Sequence, residues 1–315
     1  MDNELEASGA GGATTTADLP DLTGRRIVIT GANAGLGFET ARMLAGAGAE
    51  LTLACRNRTK ADAAVERLRG EHPDAVLDVL DLDLGDLDSV ASAAERLLAD
   101  GRPLDVLVNN AGLMAIDEAR TAQGFEMQYG VNHLGHFALT ARLMPLLKAA
   151  PTGRVVSVAS MGHRAARGQA DPLLQRPYDR WNAYFHSKLD NLLFTAELQR
   201  RLTEAGSHVT AMVAHPGGAH TDLGVEGSGI TNRLMSTVVP FVTQSATAGA
   251  RPIVRAATDR SLKPGSFVGP RFVVRGRTPV VERPSRRARD AGAALRLWEE
   301  SVQQTALDPI AALAG

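Results

Sequence analysis

The chain has 315 residues, 44% hydrophobic and 22% charged, with acids and bases balanced to a formal net charge of −1; this suits a globular enzyme and argues against nucleic acid as a partner. No apolar stretch approaches the ~20 residues that span a bilayer, and no basic segment followed by an apolar core marks a secretory signal. The single cysteine, Cys55, excludes an intrachain disulfide framework and fits a reducing compartment, so a cytoplasmic protein without a membrane span is expected.

Residues 1–22 are rich in Gly, Ala, Thr and acids and lack a hydrophobic period, so they are expected to form a disordered leader. Residues 23–315 show no repeat and no composition break and are expected to form one domain. Within it, short apolar runs alternate with helical patterns, the order of a parallel sheet covered by helices. The first predicted strand, Arg26–Thr30, runs into Gly31-Ala32-Asn33-Ala34-Gly35-Leu36-Gly37 and a predicted helix at 35–48. A glycine-rich turn opening the first βα unit lets backbone N–H groups approach a pyrophosphate at the helix N-terminus. The plainer alternative is a tight connection that binds nothing. The candidate cofactor residues here are Gly31, Asn33, Gly35, Leu36 and Gly37.

The second predicted strand, Glu50–Ala54, is followed by Cys55-Arg56-Asn57-Arg58. Sites for NAD usually place an acid near this point to accept hydrogen bonds from the ribose 2′-OH. A thiol followed by a guanidinium favours NADP(H) instead, because Arg56 can fork onto the 2′-phosphate. Further strands are predicted at Val76–Asp81, Leu104–Asn109, Arg154–Ser160 and His208–Ala214, nearly continuous in apolar residues as strands buried on both faces require. Helices are predicted at 59–70, 86–99, 121–149, 181–204 and 244–258. A basic, turn-rich tail follows, with a last helix at Ala288–Thr305. On the helix at 181–204, Tyr184 and Lys188 lie four residues apart and share a face, so a phenol and an ammonium can meet beneath one substrate. The fold class expected is α/β, a doubly wound parallel sheet of the Rossmann type with an extended C-terminal tail.

Over roughly residues 25–225 the chain resembles the short-chain dehydrogenase/reductase family. Tyr184-Phe185-His186-Ser187-Lys188 looks like its Y-x-x-x-K signature, and Asn109-Asn110-Ala111-Gly112 looks like its NNAG segment, which packs beside the adenosine half of the cofactor. Asp83-Leu84 looks like its adenine-contacting pair, with Asp81 as a competing alignment. The resemblance places the catalytic serine at Ser160, with Ser157 as the alternative, and the catalytic asparagine at Asn132. It places Pro216, Gly217 and Thr221 along the nicotinamide. It implies a hydride transfer between nicotinamide and a carbonyl or alcohol carbon, with a homodimer or homotetramer paired through the Tyr184-bearing helix. Thr30–Asn57, the long gap between Ser160 and Tyr184, and Ser187–Phe194 are most similar to retinol dehydrogenase-like members, which implies an apolar small-molecule substrate. Membrane-bound relatives carry a hydrophobic N-terminal anchor that this sequence lacks.

In this scheme Tyr184 is the proton donor, and the acceptor in the oxidative direction. A cation about 4 Å away is worth roughly 4 kcal/mol at an effective dielectric of 20, so Lys188 would lower the phenol by at most about three pKa units. Ser160 orients the substrate oxygen, and Asn132 holds a water that links Lys188 to solvent. Reduction of a carbon–carbon double bond on the same scaffold and a non-catalytic NADP(H)-binding redox sensor are the alternatives. Substrate choice is expected in the segments 161–181 and 222–241. His133 and His136 are read as an ordinary helix flank rather than a metal site. His163 is expected to face either substrate or solvent. His215 and His220 are given no catalytic role, and Cys55 is read as a packed small residue. Arg283, Arg286, Arg287 and Arg289 are read as a solvated helix start.

Overall fold

The structure, a computed structural model, describes residues 19–217, 245–272 and 278–313. Eight strands form one sheet in the order β3-β2-β1-β4-β5-β6-β7-β8. These are β1 (Arg26–Thr30), β2 (Glu50–Cys55), β3 (Leu77–Asp81), β4 (Val106–Asn109), β5 (Arg154–Val158), β6 (Thr210–Ala214), β7 (Phe267–Pro270) and β8 (Pro279–Glu282). All neighbours are parallel except β7 and β8, which pair antiparallel with Val268 opposite Val281. The strand order reverses beside β1, between β1 and β4, where open α/β sheets leave a ligand crevice at their carboxyl ends.

Alternation along the strands feeds two cores. Val28, Leu107 and Val155 face one side, while Ile27, Ile29, Val106, Val108 and Val156 face the other. The second side is covered by α1 (Gly35–Ala45), α2 (Arg58–Glu71) and α7 (Ala246–Thr258). The first side is covered by α3 (Leu87–Asp100), α5 (Gly135–Ala149), α6 (Arg180–Glu204) and α8 (Ala291–Thr305). A short turn, α4 (Met127–Tyr129), leads through a π-helical stretch, Gly130–Leu134, into α5. Side-chain caps fix several starts: Asn57 Oδ1 accepts from the Lys60 N–H, Asp179 accepts from Trp181 and Asn182, and Asp290 from Ala293. In contrast, α1 has no side-chain cap and no acid in its first turn.

Three expectations need correction. Phe267–Pro270 and Pro279–Glu282, read as tail, complete the sheet. Leu22, at the end of the expected leader, is buried and donates its N–H to the Ala47 carbonyl, so packing begins before residue 23. The arginine run does not open the last helix: Arg287–Arg289 form a 3-10 turn, and Arg287 donates to the carbonyls of Ala166 and Gly168. No helix among the described residues is long and apolar enough to cross a membrane.

Candidate active site

The ends of β1, β4, β5 and β6 deliver Gly31, Asn110, Ser160 and Pro216 to one edge of the sheet. Gly31 takes φ +66, which disfavours a side chain. A β-carbon on Gly37 would clash with the Gly31 carbonyl oxygen. The turn and α1 can therefore meet only through glycine, leaving the uncapped first-turn N–H groups of α1 directed outward. Asn33 and Gly35 lie partly exposed in this turn, while Leu36 is buried under it. Asn110 braces the turn from β4, donating Nδ2 to the Thr30 carbonyl at 2.8 Å.

Tyr184 is buried, 6% exposed, with the Ser160 side chain close enough to its phenol to act on it electrostatically. Ser160 Oγ also accepts from the Gly162 N–H at 3.1 Å, which starts a 3-10 turn, Met161–Ala165. Ser157 bonds Thr195 within the core instead. Lys188 Nζ donates to the Val158 carbonyl at 3.2 Å and lies 5.9 Å from the Tyr184 ring centroid. Asn132 sits in the π-helical stretch, where its side chain clasps the Leu113 backbone: Nδ2 donates to the carbonyl at 2.9 Å and Oδ1 accepts the N–H at 2.7 Å. Its Nδ2 also reaches Ser187 Oγ at 2.8 Å. Gly112 lies between the two, since a β-carbon there would be 3.2 Å from both Lys188 Nζ and Asn132 Oδ1. The four candidate catalytic residues thus converge beside the glycine turn.

A family model described as short chain dehydrogenase matches residues 25–228. The chain belongs to the short-chain dehydrogenase family. It is 41% identical over 296 residues to retinol dehydrogenase 12 of Homo sapiens, covering 93% of this chain and 90% of that protein. It is 36% identical over 307 residues to retinol dehydrogenase 13 of Homo sapiens, covering 95% and 88%. A solved structure of an uncharacterized protein from Mycobacterium paratuberculosis is similar at 44% identity and a TM-score of 0.75, covering 94% of this chain and 99% of that one. This short-chain dehydrogenase is therefore retinol dehydrogenase-like, in a family whose cofactor is a nicotinamide dinucleotide.

Within the dehydrogenase site, burial governs the electrostatics. It pushes the Lys188 ammonium down to about 8 and the Tyr184 phenol above its ordinary value, with the Ser160 side chain opposing the rise. The expected lowering of Tyr184 by Lys188 is not the effect seen; the ammonium is turned to the Val158 carbonyl. At the end of β2, Cys55 is buried with its thiol raised to about 11 by desolvation, and the Ala32 and Asn33 N–H groups point to it. No carboxylate occupies that position. Arg56 is exposed and, among the described residues, makes no hydrogen bond or ion pair. Arg58 instead pairs with Asp62 and Asp81. Asp83 Oδ1 accepts the Gly85 N–H at 2.8 Å, shaping the turn after β3, and Leu84 is buried against Gly135. Pro216 and Gly217 follow β6 and are partly exposed; Thr221, His220 and the segment 222–241 lie outside the described residues.

Sequence reasoning missed two networks. Thr30 Oγ1 accepts the N–H groups of Asn110 and Ala111, both at 2.9 Å, and meets His136 Nε2 at 2.8 Å. His136 Nδ1 in turn lies 3.1 Å from the Asn132 carbonyl. This assigns the proton to Nδ1 and ties the glycine turn to Asn132; burial holds His136 down to about 4, so it stays neutral. Secondly, the Gly217 N–H donates to His215 Nδ1 at 3.1 Å, and His215 Nε2 donates to Glu282 Oε1 at 3.0 Å. His215 is fully buried and packs on Phe267, and any side chain at Gly269 would occupy its place. His163 does not face solvent: it is buried, with Nδ1 2.7 Å from the Ser160 carbonyl and its ring edge-on to Phe267. His133 turns toward α8, 2.8 Å from Ser301 Oγ, away from His136.

Proposed function

We propose that this chain is an NADP(H)-dependent oxidoreductase that interconverts an alcohol and a carbonyl group on an apolar small molecule. The observation that carries the reading is the meeting of Tyr184, Ser160 and Lys188 at the end of β5, beside the glycine turn. The nicotinamide, when bound, delivers or accepts the hydride. Tyr184 gives its phenolic proton to the oxygen as it becomes an alkoxide, and takes it back in the oxidative direction. Ser160 Oγ, beside that phenol, would share the substrate oxygen and fix its approach. Lys188 holds a positive charge below pH 8 and would hold the nicotinamide ribose. Asn132 holds the water through which Lys188 exchanges protons with solvent.

The first-turn N–H groups behind Gly31, Asn33, Gly35, Leu36 and Gly37 take the pyrophosphate. Asp83, Leu84, Asn110, Ala111 and Gly112 border the adenosine half, and Pro216, Gly217 and Thr221 the nicotinamide. Arg56 has no ion-pair partner among the described residues and follows a thiol rather than an acid, which supports a 2′-phosphate. The apolar substrate class rests on relatives named for retinol and on partly exposed aromatic side chains beside the phenol: Trp181 lies 6.4 Å and Phe185 6.0 Å from the Tyr184 ring. The lone cysteine is buried as a free thiol, which fits the cytoplasm.

NADPH oxidation should be seen with a panel of apolar aldehydes and ketones. Tyr184→Phe should lower kcat by ~10²–10⁴-fold, the usual worth of a general acid, while NADPH binding survives. Wild-type turnover by that variant, or no turnover of any carbonyl compound, would reject the reading.

A further inference from the structure

Tyr184 and Lys188 do not line every hollow beside α6. A second cavity, of ≈ 170 Å³, lies under residues 167–179 and is bordered by Glu126, Tyr129, Tyr178, His186, Ser187 and Asp190. Its polar groups are mostly engaged. Glu126 accepts from the N–H groups of Gln128 and Tyr129 and from the Tyr178 hydroxyl. Of the other two bordering carboxylates, Asp179 caps α6, and Asp171 accepts from Gln175 and Arg176. His186 Nε2 is held by the Arg167 carbonyl at 2.8 Å.

Asp190 is the exception. It is 4% exposed, borders the cavity, and its Oδ2 is buried without a hydrogen-bond partner among the described residues. Leaving a buried carboxyl oxygen unbonded is costly, so a native protein rarely does so without a water, an ion or a ligand in reach. The surrounding charge decides which. Glu300 and Glu126 act on Asp190 with like sign and Arg287 opposes them. Arg167 and Arg176 also border the cavity, Arg176 being engaged by Asp171 and by the Gln169 and Ala170 carbonyls, so the lining carries four carboxyl groups against two guanidinium groups. The Arg287 guanidinium is committed to the Ala166 and Gly168 carbonyls and does not reach the carboxyl as a donor. Among the described residues no group of three or more His, Cys, Asp or Glu is arranged to hold a metal ion. A compact organic cation with N–H donors satisfies both the orphaned oxygen and the excess of carboxyl groups in the lining, which also includes Tyr129 and Tyr178.

We propose that this cavity is a second ligand site, distinct from the dehydrogenase site, which takes a small primary ammonium compound with its N–H groups on Asp190. The binding does not depend on the oxidoreductase reading. Ser187 is the shared wall: it borders the cavity, donates Oγ to the Tyr184 carbonyl and accepts from Asn132. Burial pushes the Asp190 carboxyl up to about 8, so at pH 7 it is largely protonated, and engaging a cation releases that proton.

The test is calorimetric titration of the full chain at pH 7 with ethylammonium chloride, with potassium chloride at equal ionic strength as reference. The expected result is saturable binding of one equivalent, with a heat that changes with the ionisation enthalpy of the buffer. Asp190→Asn, nearly isosteric, should weaken binding at least tenfold and abolish the buffer dependence. Ala183→Leu, which fills the cavity from the α6 side, should also lose binding; circular dichroism confirms its fold, and Asp190→Asn decides alone if it does not fold. No saturable binding by the wild type, equal binding by Asp190→Asn, or equal binding of tetramethylammonium, which has no N–H, would each overturn the proposal.

Discussion

Lys188 is a buried cation that, among the described residues, hydrogen-bonds one backbone carbonyl, that of Val158. Its ordinary value of 10.5 falls to about 8 because burial penalises the charged form. Below pH 8 the ammonium is present beside Tyr184, and as pH rises through 8 it is lost. Reductive kcat/KM should therefore decline on the alkaline side with an apparent pKa near 8, and Lys188→Met should show a much lower rate without that limb. A profile flat to pH 9.5 in the wild type would count against a charged lysine in the reaction. Arg56 is tested by a different readout. Arg56→Asp should shift the preference from NADPH toward NADH by at least tenfold in kcat/KM, since a carboxylate repels the 2′-phosphate and accepts from a 2′-OH. An unchanged ratio would remove the argument. These residues were legible in the sequence because each belongs to a local pattern: a glycine turn, a strand end, or a pair four apart on a helix. The chain from Thr30 through His136 to Asn132 was not legible, because its partners lie 106 residues apart and nothing local links them.

Strands β1 to β6 were readable for a physical reason. Strands buried on both faces must be nearly continuous in apolar residues, and β1, β2, β4, β5 and β6 are, while β3, at the sheet edge, buries only Val79 and Leu80. β7 and β8 escaped because each is four residues long and carries proline, and β7 glycine as well, residues that ordinarily mark loops. Yet this hairpin has a definite task, because it places Glu282 against His215 and so holds the N–H of Gly217. Glu282→Gln keeps the shape but replaces the charge. It should raise the KM for NADPH several-fold with a smaller change in kcat, because the disturbed element, in the proposed reading, borders the nicotinamide rather than the reacting oxygen. Loss of kcat at unchanged KM would place His215 and Glu282 nearer the chemistry than the geometry does. The segment 161–181, where substrate choice is expected, is anchored at several points: Arg287, Arg120 and Glu126 bond the carbonyls of Ala166, Gly168, Leu173 and Pro172.

Over the whole molecule, the face of α6 expected to pair subunits is covered by the chain itself. Trp298 of α8 is buried, stacks on Phe194 at 6.1 Å and meets Phe137 edge-on at 5.3 Å. Arg201 lies over its other side, 4.7 Å from the ring. Light scattering should return the mass of one chain, 33.3 kDa; a dimer would require another surface or displacement of α8. Trp298→Ala should cost ~3–5 kcal/mol in denaturant unfolding, the usual penalty for removing a buried aromatic. This arrangement also orders events at the ribosome. The helix bearing Tyr184 and Lys188 emerges long before the one that shelters its outer side, so a nascent chain released early presents Phe137 and Phe194 to whatever it meets, and only completed synthesis brings the cover that its reactive helix needs.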